Sequence, residues 1–195
     1  FQQLRRTRRD NLVSGLPAGI QNPTQPRSRG INAQWIFPVF ATQVVDGDGC
    51  FGMVAGVRSM NLAVEKAAAT GTGWVAVRNS NHFGIAGYYA MMALGHDMVG
   101  IAVTNANPLV VPTFSVSRFL GTNPLAVAVP ALEEPPFVAD FATTPIARGK
   151  LAVSEKKGAK VPLGYVQDSE GLPSDDPGIL RRGGGMVTLG GDRLH

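Results

Sequence analysis

Cysteine is almost missing from this chain, which has only Cys50 among its 195 residues. A single cysteine excludes an intramolecular disulfide and a cysteine-based zinc site, and it fits a reducing compartment. Charge is scarce as well. Asp, Glu, Lys and Arg make up 16% of the residues, below the roughly one quarter usual for soluble domains. Aromatics amount to 7% and do not interleave with the basic runs at Arg5-Arg6, Arg8-Arg9 and Lys156-Lys157. Despite a net charge of +4, those runs read as solvated faces, and no nucleic-acid partner is expected. No apolar run is long enough to span a bilayer, and no signal-peptide pattern stands at the start. A cytoplasmic chain with no membrane partner is therefore expected.

Several motifs are missing too. There is no G-x-S-x-G nucleophile elbow. Gly149-Lys150 is followed by Leu151 and lacks the upstream glycine of a P-loop. In Asp46-Gly47-Asp48-Gly49, Cys50 stands where an EF-hand needs its third oxygen ligand. His82, His96 and His195 have no zinc spacing, and no metal site is expected.

What remains is 44% apolar residues and 24 glycines, a composition for a loop-rich α/β protein with a sizeable core. A short helix is expected near Arg5 to Leu12, then extended chain. Phe40 to Val45 reads as a strand. Met60, Ala63, Val64 and Ala67 recur at helical spacing, predicting a helix over 53–69 stopped by Gly71 and Gly73. Trp74 to Val77 reads as a strand. Ile85, Tyr88, Tyr89, Met92 and Ala93 form a second helical stripe ending at Gly95. Met98 to Thr104, Leu125 to Val129 and Phe137 to Phe141 have strand length. Thr144-Pro145 predicts an N-cap with proline at the first helical position, opening a helix to about Lys157 that Gly158 caps. Beyond Gly164 the chain reads as irregular.

Polar residues gather at three strand ends: Ser80-Asn81-His82, Thr104-Asn105, and Asp140 with Thr143 and Thr144. Ligands of α/β sheets sit outside the carboxyl ends of strands, so these clusters are expected to meet in one cleft. A histidine on a strand-to-helix turn is an acid/base candidate, because imidazole ordinarily titrates near neutrality. Asp140 is the candidate to orient it and favour its protonated form. The alternative role for Asp140 is a negative charge at the start of the following helix. The turn Leu120-Gly121-Thr122-Asn123-Pro124 offers backbone N–H groups and the Thr122 hydroxyl to a phosphate or carboxylate, or is an ordinary tight turn. Gly47-Asp48-Gly49-Cys50-Phe51-Gly52 matches G-x-G-x-x-G between a strand and a helix. That pattern permits an NADP-binding Rossmann unit, with Arg78 accepting a 2′-phosphate, although Asp48 would crowd the pyrophosphate.

Taken together, Arg78-Asn79-Ser80-Asn81-His82-Phe83-Gly84-Ile85-Ala86-Gly87-Tyr88-Tyr89 resembles the central signature of the type-2 malate/L-lactate dehydrogenases. The likeness continues through Ser14-Gly15-Leu16, Asp46-Gly47-Asp48-Gly49, Thr104-Asn105-Ala106, Leu120 to Pro124 and Asp140-Phe141-Ala142-Thr143-Thr144. It reaches Ala147-Arg148-Gly149-Lys150, Pro162-Leu163-Gly164-Tyr165, Asp175-Asp176-Pro177 and Leu189-Gly190-Gly191.

The resemblance implies a three-layer α/β fold with a mixed β-sheet, sulfolactate-dehydrogenase-like and not Rossmann, with Gly47 to Gly52 a structural loop. It implies a homodimer and hydride transfer between NAD or NADP and C2 of a 2-hydroxy or 2-oxo acid. His82 falls on the proton acceptor/donor, with Asp140 as its catalytic partner. Thr104, Asn105, Gly121, Thr122, Asn123, Asp140, Phe141 and Ala142 fall at the cofactor, and Asn81 and Ala106 at the substrate. A Ser-His-Gly segment before this region and a Lys-Gly-Tyr-Gly segment after it are missing from the chain. An internal piece is therefore expected, with 1–35 a remnant of an N-terminal region and linker and 36–195 a catalytic domain cut at both ends. A non-catalytic nucleotide-binding or interaction fragment is the competing expectation.

Overall fold

Strand β2 (Thr42–Asp46) is the hinge of the first half of the chain: β1 (Gln34–Val39) pairs with it antiparallel and β3 (Trp74–Arg78) pairs with it parallel. The computed structural model describes residues 34–190. The expected helix over 5–12, Ser14-Gly15-Leu16, Gly191 and His195 lie outside them. The chain divides after Phe83 into two units.

In the first unit, helix α1 (Gly52–Thr70) carries the chain from β2 to β3 and packs on both strands. Its inward stripe is Gly52, Ala55, Ser59 and Val64, the spacing expected of one helical face. Gly71 stops the helix in the left-handed region at φ 84°, and its N–H donates to the Ala67 carbonyl. The strand expected from Phe40 starts two residues later, because Phe40 and Ala41 form the turn between β1 and β2.

In the second unit, helix α2 (Ala86–Met92) and a 3-10 turn (Ala93–His96) lie on the antiparallel sheet β4 (Gly100–Val103), β5 (Leu125–Val129) and β6 (Phe137–Phe141). The layers meet through small residues. Ala86, Gly87, Ala90 and Ala93 are buried on the helix side, and Ala102, Ala126 and Ala128 on the sheet side. Short side chains on both faces let the backbones approach closely at interior packing density. A second core of Val110, Ile146, Leu151, Val161, Val166, Ile179 and Met186 joins helix α3 (Arg148–Lys156) to the chain that follows. Each fully buried side chain of this size stabilises by about 1.5–3 kcal/mol.

Two expectations are corrected here. Helix α3 begins at Arg148, not at Pro145, because the Thr144 hydroxyl donates to the Ile146 carbonyl at 2.9 Å and caps no helix. The chain beyond Gly164 is not irregular. It forms a small antiparallel sheet of β7 (Val166–Gln167), β8 (Pro173–Ser174) and β9 (Gly185–Met186). The class is mixed α/β with strands of both directions, as expected.

Candidate active site

The parallel register sets Asp46, the last residue of β2, beside Arg78, the last residue of β3. The two following turns therefore leave the sheet side by side. Asp46 Oδ1 accepts from the Asp48 N–H (3.0 Å) and the Asn79 amide (3.1 Å), and Oδ2 accepts from Arg78 Nε (3.1 Å) and Nη2 (3.0 Å). The Asp48 N–H, then the Asn79 amide and the Arg78 guanidinium, hold the Asp46 carboxyl below the usual carboxylate range against the opposing effect of burial. Farther along, Asn81 donates both amide protons across the gap, to the Gly49 carbonyl (2.8 Å) and the Cys50 carbonyl (3.0 Å). His82 follows immediately and is exposed.

This geometry overturns the Rossmann reading of Gly47 to Gly52. The Gly47 N–H donates to Arg78, the Gly49 N–H to Asn79 and the Cys50 N–H to Gly47. Those are the groups a pyrophosphate would need. Gly52 makes a close approach to protein instead of ligand: a Cβ there would overlap the Asn81 carbonyl and lie 2.7 Å from the His82 carbonyl carbon. Arg78, offered for a 2′-phosphate, is paired with Asp46.

In the second unit the sheet register gathers the remaining predicted residues. Val103 pairs with Leu125, and Leu125 with Phe141. Thr104 to Ala106, Gly121 to Pro124 and Asp140 to Thr143 thus crowd one end of the sheet. The Ala106 N–H donates to Asn123 Oδ1 at 3.0 Å, and the Thr122 carbonyl accepts from both the Thr143 N–H (2.8 Å) and the Thr143 hydroxyl (3.0 Å). The Thr143 carbonyl in turn accepts from the Leu189 N–H at 2.8 Å. Gly121 is buried against the Ala106 backbone, where a Cβ would overlap it. Asn123 holds φ 32°, in the left-handed region. The N–H groups of Gly121, Thr122 and Asn123 and the Thr122 hydroxyl have no hydrogen-bond partner among the described residues. Successive donors left open on one turn suit an anion.

Asp140 Oδ2 accepts the Gly87 N–H at 2.7 Å. The helix whose first turn it serves is α2, more than fifty residues earlier in sequence, and not the following helix named as the alternative. Ala102, Ala126 and Asp140 are register partners on the sheet face that α2 covers, which is why the carboxylate reaches that helix. Sequence reasoning missed Gly87 as a donor and Asp46 as the centre of a network. For Asp46, its place at a strand end beside an arginine-bearing strand end was the available signal. Among the described residues no cluster of His, Cys, Asp or Glu has metal-binding geometry, and no helix is long and apolar enough to cross a membrane.

Comparison with known proteins bears on both units. A sequence profile described as malate/L-lactate dehydrogenase matches residues 26–193. A malate dehydrogenase of Pyrococcus abyssi is 49% identical over 148 residues, 76% of this chain and 41% of that protein. The solved sulfolactate dehydrogenase of Methanocaldococcus jannaschii superposes with a TM-score of 0.75 at 40% identity, over 84% of this chain and 47% of its own. The malate dehydrogenase of Entamoeba histolytica superposes with a TM-score of 0.76 at 34% identity, over 97% and 51%. The fold is that of these dehydrogenases. The chain spans about two fifths to one half of the length of the proteins it matches.

Proposed function

The chain belongs to the malate/L-lactate dehydrogenase family, and we propose that it carries the central part of an oxidoreductase site for a small 2-hydroxy or 2-oxo acid of the malate or lactate class. The observation that carries this reading is the junction of Thr104–Ala106, Gly121–Asn123 and Asp140–Thr143 at one sheet end, with three backbone donors left open on the middle turn. That donor set fits the phosphates of NAD or NADP. Thr104, Asn105, Gly121, Thr122, Asn123, Asp140, Phe141 and Ala142 would hold the cofactor, and when bound it accepts or supplies the hydride.

The chain's own residues do the rest. His82 takes the proton of the C2 hydroxyl when the hydroxy acid is oxidised and returns it when the oxo acid is reduced. Asp140 is the second catalytic residue of this reading. Its orientation is set by the Gly87 N–H. Ala106 and Asn81 serve the substrate, and Asn81 does so only through its amide oxygen, because both amide protons are used. The partner expected from the family is a second copy of the chain.

The test is turnover of the full-length protein with NADH and with NADPH across a panel of 2-oxo acids, beside His82→Ala. Loss of about 10²–10⁴-fold in kcat with cofactor binding retained is expected. Unchanged turnover in the variant removes His82 from the chemistry.

A further inference from the structure

We infer that Asn81 is a positioning residue for His82: its amide, by donating to two carbonyl oxygens of the neighbouring turn, holds the stretch of backbone on which the histidine stands. The inference rests on the acid–base role proposed for His82.

The turn from Asn79 to His82 has lost the ladder that holds β3, and Asn79 sits at φ 51°. Its near end is fixed to Asp46 through Arg78 and Asn79. Its far end meets residues 49–52 through two contacts. Asn81 Nδ2 spends one proton on the Gly49 carbonyl and the other on the Cys50 carbonyl. Gly52, the first residue of α1, abuts the backbone of Asn81 and His82. Removal of the amide therefore takes away both hydrogen bonds between Asn81 and residues 49–50 and leaves the steric contact with Gly52.

The chemistry of the clamp is specific. Two carbonyl oxygens need two protons, and an uncharged primary amide brings both. A leucine of similar size brings none. An ionised aspartate would set a third and fourth acceptor against the two carbonyls, and a protonated aspartate restores one donor. Proton transfer depends steeply on placement, and a shift of about 1 Å costs on the order of 10²-fold in rate.

The experiment compares wild type, Asn81→Ala, Asn81→Leu and Asn81→Asp in the full-length enzyme. It measures kcat and KM from about pH 3.5 to 8, a window that reaches the ordinary aspartate range, cofactor affinity by fluorescence, and amide hydrogen exchange of residues 79–83. Asn81→Ala and Asn81→Leu are expected to lose about 10–100-fold in kcat, with cofactor affinity unchanged and faster exchange in the turn. Relative to wild type at each pH, Asn81→Asp is expected to recover activity as pH falls, and Asn81→Ala is not.

The inference is overturned if Asn81→Ala keeps kcat within twofold of wild type, or if Asn81→Asp follows the pH profile of Asn81→Ala. If Asn81→Ala does not fold, Asn81→Asp against Asn81→Leu decides by the same pH criterion. If the wild type turns over no 2-oxo acid, the acid–base reading itself fails. The clamp is then judged by exchange alone, and unchanged exchange at 79–83 overturns it.

Discussion

The Gly87 N–H donates to Asp140 Oδ2 at 2.7 Å, so one carboxylate oxygen closes the first turn of α2 while the other, Oδ1, has no partner among the described residues. Asparagine at position 140 can keep the acceptor and lose the charge, whereas alanine loses both. Asp140→Asn is expected to stay within about 1 kcal/mol of wild-type stability and lose turnover by about 10²-fold. Asp140→Ala is expected to lose a further 1–2 kcal/mol, roughly the worth of a capping bond. A Cβ on residue 87 would lie 2.7 Å from Asp140 Oδ2. Gly87→Ala should therefore resemble Asp140→Ala in both readouts, checked by urea melts and steady-state kinetics. Equal turnover in wild type and Asp140→Asn would remove the carboxylate from the chemistry.

Asp46 predicts a pH dependence. Its carboxyl is held below the ordinary value of 3.8 by the Asp48 N–H, the Asn79 amide and Arg78. A depressed carboxylate contributes stability that is fully present above the unfolded value and lost as pH falls through the folded one. The stability gap between wild type and Asp46→Ala should then be constant from pH 5 to 7 and shrink only below about pH 4. Unfolding curves at several pH values check this, and a gap that already shrinks between pH 7 and 5 contradicts it.

Asn123 combines a strained backbone with a bridging side chain. Its φ is 32°, and its Oδ1 holds the Ala106 N–H. Asn123→Gly relieves the backbone and loses the bridge. Asn123→Ala loses the bridge and keeps the strain, and should be the less stable of the two by about 1 kcal/mol. Both should weaken cofactor binding several-fold, because the turn with the open donors is no longer tied to Ala106. Fluorescence titration decides, and a Kd within twofold of wild type in both variants removes the turn from the cofactor site.

The elements legible in the sequence are those long enough to show a period. Met60, Ala63, Val64 and Ala67 mark α1, and the apolar runs at Leu125 and Phe137 mark β5 and β6. The two-residue strands β7, β8 and β9 have no period to show, and their pairing is set by packing around Val166 and Met186. The polar residues of the site were legible by type and by their place at strand ends. Their partners were not. Gly87 meets Asp140, and Asn81 meets Gly49, only because of strand register and a helix lying across a sheet. Thr144 misled because a hydroxyl before proline suits an N-cap and a local turn equally well, and burial selected the turn.

Two glycines of one loop should give opposite results. Gly49 has open space around its missing Cβ and a φ of 69°, whereas Gly52 abuts the backbone of Asn81 and His82. Gly49→Ala therefore strains only its own backbone, at a cost of about 1 kcal/mol. It should leave cofactor Kd and kcat within twofold of wild type. Gly52→Ala must displace the turn that carries His82, and it should lower kcat at least tenfold with cofactor Kd unchanged. A Rossmann nucleotide turn would behave the other way at Gly49, since the second glycine of that pattern is where the backbone meets the pyrophosphate, and a side chain there would weaken cofactor binding. Measuring both constants on both variants separates the two, because only a structural loop lets cofactor affinity survive both substitutions while turnover responds to one.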